Sequence, residues 1–252
     1  MIGMLKKAAE ILVLSKRTIA LTGAGISVES GIPDFRSAGG LWEKFDPAEY
    51  ATIDAFRANP EKVWEMLRIL IGNLKDARPN PAHIALAEME KLGYLHAIIT
   101  QNVDSLHQKA GSKNVIELHG NFREAVCLKC FREAVCLKCR RIYPIEYALK
   151  QGIPRCGCGG LLKPNAIFFG EPISKDMLIK SLGYTENCDV MLVIGTSAMV
   201  YPAAELPAMA KQNGAIIVEI NKEPSMIASI ADHSFYGKAG EILPELVEEI
   251  KA

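Results

Sequence analysis

Apolar residues recur along this chain with two alternating periods, and the alternation sets the expected architecture. The opening stretch, MIGMLKKAAEILVL, gathers its apolar residues on one face and reads as a short amphipathic helix. Residues 19–21 form a short apolar strand that runs into Gly23-Ala24-Gly25. Residues 46–76 read as helical, with Val63, Trp64, Leu67, Leu70, Ile71 and Leu74 at helical spacing as a core-facing stripe. Asn80-Pro81 reads as a cap followed by a first-turn proline, opening a helix through Leu92. Strands are expected at 95–100 and 115–118, and they deliver Gln101-Asn102-Val103-Asp104 and His119-Gly120 at their C-terminal ends. Long-range periodicity fades between residues 121 and 164. It returns as a helix near 175–182, a buried strand DVMLVIGTS, a helix over about 203–212 and a strand AIIVEI ending at Asn221. The last helix, 241–251, places Leu243, Leu246, Val247 and Ile250 on one face. Strands alternating with helices predict an α/β fold with a doubly wound parallel sheet covered on both faces. The polar strand ends then share one crevice.

The stretch from Ile19 to Trp42, IALTGAGISVESGIPDFRSAGGLW, carries the first chemistry. A strand feeding glycines into a helix start brings backbone N–H groups close to a pyrophosphate. Gly23 and Gly25 fit the dinucleotide fingerprint, but Val28 stands where a third glycine belongs. SGIPDFR then sets an acid, an aromatic and a base side by side, in a loop able to close over a bound nucleotide. Arg36 is a candidate phosphate partner. The 29 basic and 29 acidic residues cancel, so no overall field favours nucleic acid or an anionic membrane. No uncharged run is both long and free of breakers: the longest, 190–204, is cut by Gly195 and Pro202. No signal peptide is recognised, and a cytoplasmic protein is expected.

Six of the seven cysteines lie between residues 127 and 158. That clustering suits a metal site in a reducing compartment better than a disulfide framework. Residues 122–130 and 131–139 are the same nine letters, FREAVCLKC, in tandem, each with a C-x-x-C knuckle. Cys156-Gly157-Cys158 supplies the second half of a tetrahedral four-thiolate zinc site. Cys127 and Cys130 are the assigned partners, because that places the extra residues in the outer part of the module. Cys136 and Cys139, with the more usual gap to Cys156, stay open as the alternative. Such a shell is full and therefore structural. Cys188, opening a core strand, reads as a buried small hydrophobe. Among the histidines, His83 and His96 have no polar companions in sequence and read as satisfied or exposed. His107 and His233, the latter in a late loop, also read as non-functional. His119 alone ends a strand facing the crevice beside Gln101, Asn102 and Asp104. Asp34 and Asp104 could pair as carboxylates, although spacing does not fix their distance. No Ser/His/Asp or Cys/His arrangement suggests a covalent nucleophile.

Together the motifs resemble the sirtuin family of NAD-dependent protein deacylases. The matching pieces are GAGISVESGIPDFRS, GLW, TQNVDSLH, ELHG, the cysteine pairs, KPNAIFFGE, GTSAMVYPAAELP, EIN and GKAG. They fall in the family's order across nearly the whole chain. The nine-residue duplication, Val103 and the short C-x-C pair are departures. The resemblance implies a Rossmann-like domain from 1–120 and 165–252, with a helical insertion at about 37–78 and a zinc-ribbon module at 121–164. It further implies that Gly23, Ala24, Gly25 and Arg36 hold the pyrophosphate side, that Asp34 is among the cofactor-binding residues, and that Phe35 shields the ribose. Gln101 and Asn102 would contact the nicotinamide ribose, Asn102 as a catalytic group, and Asp104 the carboxamide. Gly195, Thr196, Ser197, Asn221 and Ala239 would line the phosphate and adenosine end. Ile167 and Phe169 would form the acyl-lysine tunnel, with Gly170, Glu171 and Val200 pairing the peptide backbone as an added strand.

In that family the acyl-lysine amide oxygen attacks the anomeric carbon of NAD as nicotinamide leaves. His119 would then take a ribose hydroxyl proton as general base. Family members that remove succinyl or malonyl groups carry a Tyr and an Arg three apart; Leu67 and Leu70 stand there. An acetylated-lysine protein or a longer neutral acyl chain is therefore the expected substrate, with no direct nucleic-acid partner. The competing readings are a mono-ADP-ribosyltransferase using the same NAD cleavage and a non-enzymatic zinc-ribbon interaction module. A nicotinamide dehydrogenase would leave SGIPDFR and the cysteines unexplained.

Overall fold

The computed structural model describes residues 2–35, 40–127 and 142–252. The helices are α1 (Ile2–Leu14), α2 (Leu41–Lys44), α3 (Pro47–Tyr50), α4 (Ile53–Ala58), α5 (Pro60–Asp76) and α6 (Pro81–Leu92). They continue as α7 (Leu106–Ala110), α8 (Ile145–Leu149), α9 (Lys175–Asn187), α10 (Leu206–Gln212) and α11 (Ala239–Lys251). The strands are β1 (Thr18–Thr22), β2 (Ala97–Thr100), β3 (Val115–Glu117), β4 (Gly120–Cys127) and β5 (Ile142–Pro144). They end with β6 (Leu162–Ala166), β7 (Val190–Ile194), β8 (Ile216–Asn221) and β9 (His233–Tyr236).

Six strands form a parallel sheet in the order β3-β2-β1-β7-β8-β9. The chain therefore winds outward from β1 in one direction, returns to the middle, and winds outward again. The reversal between β1 and β7 is where a doubly wound sheet opens a crevice beyond its strand ends. Register makes that crevice level: Thr22 pairs with Thr100 on one side and Ile194 on the other, and Ile194 pairs with Ile220.

Alternation along β1 sends Ala20 to one face of the sheet and Ile19 and Leu21 to the other. The first face packs against Leu5, Leu12, Leu86, Met89, Leu243 and Leu246 of α1, α6 and α11. The second packs against Leu206 and Ala210 of α10, with Met177 and Leu182 of α9 at its edge. Both faces are covered, which is why β1, β2 and β7 are apolar at nearly every position and buried throughout.

The stretch with little periodicity forms a three-stranded antiparallel sheet, β5-β4-β6. It shares a third core with α4 and α5, in which Phe56, Trp64 and Leu67 meet Ala125, Leu162 and Phe168. The Trp64 indole donates to the Leu162 carbonyl at 3.0 Å, and Arg68 reaches the carbonyls of Gln151 and Gly152. The helical run expected over 46–76 is three helices. Thr52 and Asn59 stop one and cap the next, their side chains accepting from the N–H groups of Ala55 and Lys62. His233, expected in a loop, opens the edge strand β9 instead. The last helix begins earlier than its apolar stripe, at Ala239.

Candidate active site

Two turns lock together at the sheet's reversal point. The Gly23 N–H donates to the Ile194 carbonyl at 3.0 Å, Gly25 to Gly195 at 2.8 Å, and Gly195 to Ile220 at 3.0 Å. A Cβ on Gly25 would lie 2.8 Å from the Gly195 Cα. One on Gly195, whose φ is +60°, would lie 2.3 Å from the Ile26 nitrogen. Only glycine lets the turns after β1 and β7 meet, so the crevice floor here is main chain. Thr196 ties in two more strand ends: its hydroxyl accepts from Gln101 Nε2 at 3.0 Å and its carbonyl from Asn221 Nδ2 at 2.8 Å.

Beneath this cradle runs a buried polar network. Asn102 Nδ2 donates to the Gly23 carbonyl and to Ser27 Oγ, both at 3.1 Å. The Ser27 hydroxyl donates to Asp104 Oδ2 at 2.7 Å, and Asp104 Oδ1 accepts the Leu106 N–H at 2.9 Å, capping α7. Burial pushes the Asp104 carboxyl up, against the pull of those two bonds. His83 joins through Ser27 at 3.4 Å and Asn80 Oδ1 at 3.0 Å. His107 lies with its ring 5.0 Å from that of His83 and its Nε2 2.9 Å from the Thr22 hydroxyl. Thr22 gives its own proton to Thr100, so His107 Nε2 donates. His107 Nδ1 is then an unprotonated nitrogen with no hydrogen-bond partner among the described residues. Burial lowers His83 to about 4 and, with the His83 ring beside it, His107 to about 3.

His119 sits in the turn joining β3 to β4, and so in the seam between the two sheets. Gly120, at φ +75°, lets β4 press against β6: a Cβ there would fall 1.9 Å from the Asn165 carbonyl oxygen. The His119 carbonyl in turn accepts the Ile167 N–H at 2.8 Å. Its Nδ1 faces the Gln101 carbonyl at 3.2 Å. A carbonyl can only accept, so Nδ1 carries the proton and Nε2 keeps its lone pair in the neutral ring. Burial lowers His119, opposed by that same bond, and so favours the neutral form.

A second wall is aromatic. Phe35 and Trp42 have ring centroids 5.2 Å apart, and Trp42 and Phe169 6.4 Å. Phe35 and Phe169 are 39% and 44% exposed, unusual for rings that could pack inward. The backbone holds them there: Trp42 N–H donates to the Phe35 carbonyl at 3.1 Å, and Phe169 bridges to the chain between α3 and α4.

Comparison with known proteins decides the family. The Sir2 family model matches residues 23–202. The chain is 51% identical over 249 residues to an NAD-dependent protein deacylase of Pyrococcus furiosus, covering 98% of each. It is 47% identical over 249 residues to NAD-dependent protein deacylase 2 of Archaeoglobus fulgidus, covering 98% of this chain and 96% of that one. Among solved structures, a Sir2–p53 peptide–NAD+ complex superposes with TM-score 0.86 at 37% identity, over 97% of this chain and 98% of that one. A Sir2 homolog–NAD complex superposes with TM-score 0.88 at 44% identity, over 98% and 93%. This chain belongs to the Sir2 family.

Within this Sir2 chain, Gly23, Gly25, Gln101, Asn102, Gly195, Thr196 and Asn221 are joined by hydrogen bonds or direct packing at the strand ends. Asp104 belongs to the network below them. The Asp34 carbonyl accepts the Leu41 N–H at 2.9 Å. Ala239 opens α11, where the Gly240 N–H donates to the Glu29 carboxylate at 2.8 Å. Val200 is half-buried in the loop after β7. Leu67 is wholly buried in the third core, with Leu70 against its edge. Arg36, Cys130, Cys136 and Cys139 lie outside the described residues, and only the backbone of Cys127 is described. Cys127 pairs with Leu162 at the end of β4. Cys156 and Cys158 stand on the adjoining turn, with Gly159 at φ +80°. Cys188 is buried, which pushes its thiol up to about 11.

From sequence alone Ser27 has no role, His83 and His107 read as non-functional, and Trp42 enters only as part of GLW. Ser27 meets Asp104 across 77 positions and His83 across 56, and no local spacing could announce that. His83 has three polar groups around its ring: Asn80, three positions earlier in the same capping box, and Ser27 and His107 from distant parts of the chain.

Proposed function

We propose that this Sir2 protein is an NAD-dependent protein lysine deacetylase, transferring the acetyl group of an acetyl-lysine side chain to ADP-ribose and releasing nicotinamide. The observation that carries the reading is His119, a half-buried imidazole whose Nδ1 is committed to the Gln101 carbonyl and whose own carbonyl holds Ile167, two residues before Phe169 of the aromatic wall. The strand ends suit a dinucleotide: the interlocked glycine turns let a ligand approach the main chain without a Cβ in the way, and Gln101 and Asn221 each keep a second amide hydrogen beyond their bonds to Thr196. Bound NAD would supply an electrophilic anomeric carbon and nicotinamide as leaving group. Asn102, held by Gly23 and Ser27, would orient the ribose, and Asp104 would take the carboxamide. Arg36 would face the phosphates, Ala24 and Ser197 would line their path, and Ala239 would border the adenosine end. Phe35 would keep water from the reacting carbon, and His119 Nε2 would take the ribose hydroxyl proton. Ile167 and Phe169 would enclose the acyl-lysine, with Gly170, Glu171 and Val200 offering backbone to the peptide.

The cysteine chemistry fits a structural zinc: two thiols flank one tight turn, and the strand bearing Cys127 ends beside it. Cys127, Cys130, Cys156 and Cys158 would hold the ion and tie the antiparallel sheet together, with no role in the reaction. Metal analysis of the purified protein should give one zinc per chain, reduced in Cys156→Ser. Among the described residues no helix is long and apolar enough to cross a membrane; a cytoplasmic site of action is part of this proposal.

Mass spectrometry of an acetyl-lysine peptide incubated with and without NAD tests the function. Loss of acetyl from the peptide, with nicotinamide and acetylated ADP-ribose appearing only when NAD is present, is expected. Peptide left acetylated while ADP-ribose accumulates on protein would overturn it in favour of a mono-ADP-ribosyltransferase.

A further inference from the structure

Behind the loop that carries Ile167, Phe169 and Gly170 lies an ion pair that the reaction itself does not use. Lys163, on β6, is 3% exposed along its side chain. Its ammonium group reaches Glu171 Oε2 at 3.0 Å, the Pro164 carbonyl at 3.0 Å and the Ala166 carbonyl at 2.5 Å. It also lies 4.9 Å from the Phe168 ring centroid. Burial lowers Lys163, and the Glu171 carboxylate opposes that. Glu171 Oε2 accepts the Phe168 N–H at 2.9 Å as well, and the Glu171 N–H donates to the Phe168 carbonyl at 3.0 Å. Residues 163–171 thus fold back on themselves around one cation, at a turn where Gly170 has φ +83°.

A buried ion pair is a poor way to gain stability, because desolvating both charges offsets most of their attraction. What it does supply is direction: three oxygens from three points of one loop converge on a single nitrogen. The consequence is visible on the outer side. With Phe168 turned into the third core, Phe169 must face outward toward Trp42, its N–H donating to Ala51 and its carbonyl accepting from Ile53. Ile167 is likewise held to His119.

We propose that Lys163 is a positioning residue for the peptide substrate, acting through Glu171 to set the loop 167–171 against which the acyl-lysine segment docks. The inference rests on the deacetylase reading above. It gives Glu171 two jobs: its carboxylate faces inward to Lys163, and only its backbone is offered to a peptide.

Steady-state kinetics with an acetyl-lysine peptide and NAD test it, using Lys163→Met, Glu171→Gln and the double variant. Lys163→Met should raise the peptide KM about tenfold while the KM for NAD stays within about twofold, since the cradle is built on other strands. Because Lys163 acts through Glu171, the double variant should be no worse than the poorer single variant. An unchanged peptide KM, equal rises in both KM values, or multiplying effects in the double variant would overturn the proposal. Should Lys163→Met fail to fold, Glu171→Gln keeps the side-chain shape and an acceptor for Phe168, and an unchanged peptide KM there overturns it equally. Wild-type protein inactive on the peptide would instead remove the deacetylase reading, whereas active wild type with indifferent variants removes only the role of Lys163.

Discussion

The two walls of the crevice are made differently. The side proposed for the dinucleotide is backbone and small polar groups: glycine turns interlocked to within a few ångströms, with Asn102, Ser27 and Asp104 bonded to each other below. The side proposed for the acyl-lysine is aromatic: exposed Phe35 and Phe169 with half-buried Trp42 packed between them, on short helices and loops. A wall of interlocked main chain presents one fixed shape, as a constant ligand such as NAD requires. A wall of rings offers area with little directional demand, as a variable peptide requires. His119 stands where they meet, with its carbonyl bonded to the acyl-side loop and its imidazole to a cradle strand end.

The sharpest way to break the comparison is at that seam. His119→Ala should leave both walls folded, yet lower deacetylation by roughly a hundred- to ten-thousand-fold, the usual contribution of a general base. Near wild-type turnover would show that the meeting point is not where the proton moves. Next comes Gly195→Ala. The added methyl must enter a backbone contact of 2.3 Å at positive φ, so the turns after β1 and β7 must part. The KM for NAD should rise by about tenfold or more, and peptide binding by much less. If Gly195→Ala alters both substrates equally, the walls are not independent.

A third test addresses the buried network by acid. His83 and His107 sit at about 4 and about 3 in the folded chain, against about 6.5 when unfolded. Below pH 6.5 the unfolded chain therefore takes up protons first. Their contribution to stability is complete above about pH 6.5 and is lost as the pH falls toward about 4 for His83 and about 3 for His107, by up to about 1.4 kcal/mol per pH unit for each. Urea unfolding at pH 7 and pH 5 measures this, and His107→Gln should flatten the dependence. The smallest effect concerns the acyl wall. With Leu67 and Leu70 in the apolar third core, a succinyl carboxylate would lack a cationic partner. Competition between acetyl and succinyl peptides should favour acetyl, and a desuccinylation rate above the deacetylation rate would contradict this.

Much of this protein can be read from its letters because the relevant physics is local. The apolar runs that become β1 and β7, the Asn80-Pro81 cap, and the stripe along α11 each follow from spacing within one element. The motifs TQNVDSLH, ELHG and GTSAMVYPAAELP end strands, so alternation alone sends them to one edge of a parallel sheet. What depended on tertiary structure involves distant pairs. Ser27 between Asn102 and Asp104, and His107 against His83, are buried polar contacts of this kind. Their strength comes from exclusion of water, which exists only after the sheet and its helices have closed around them.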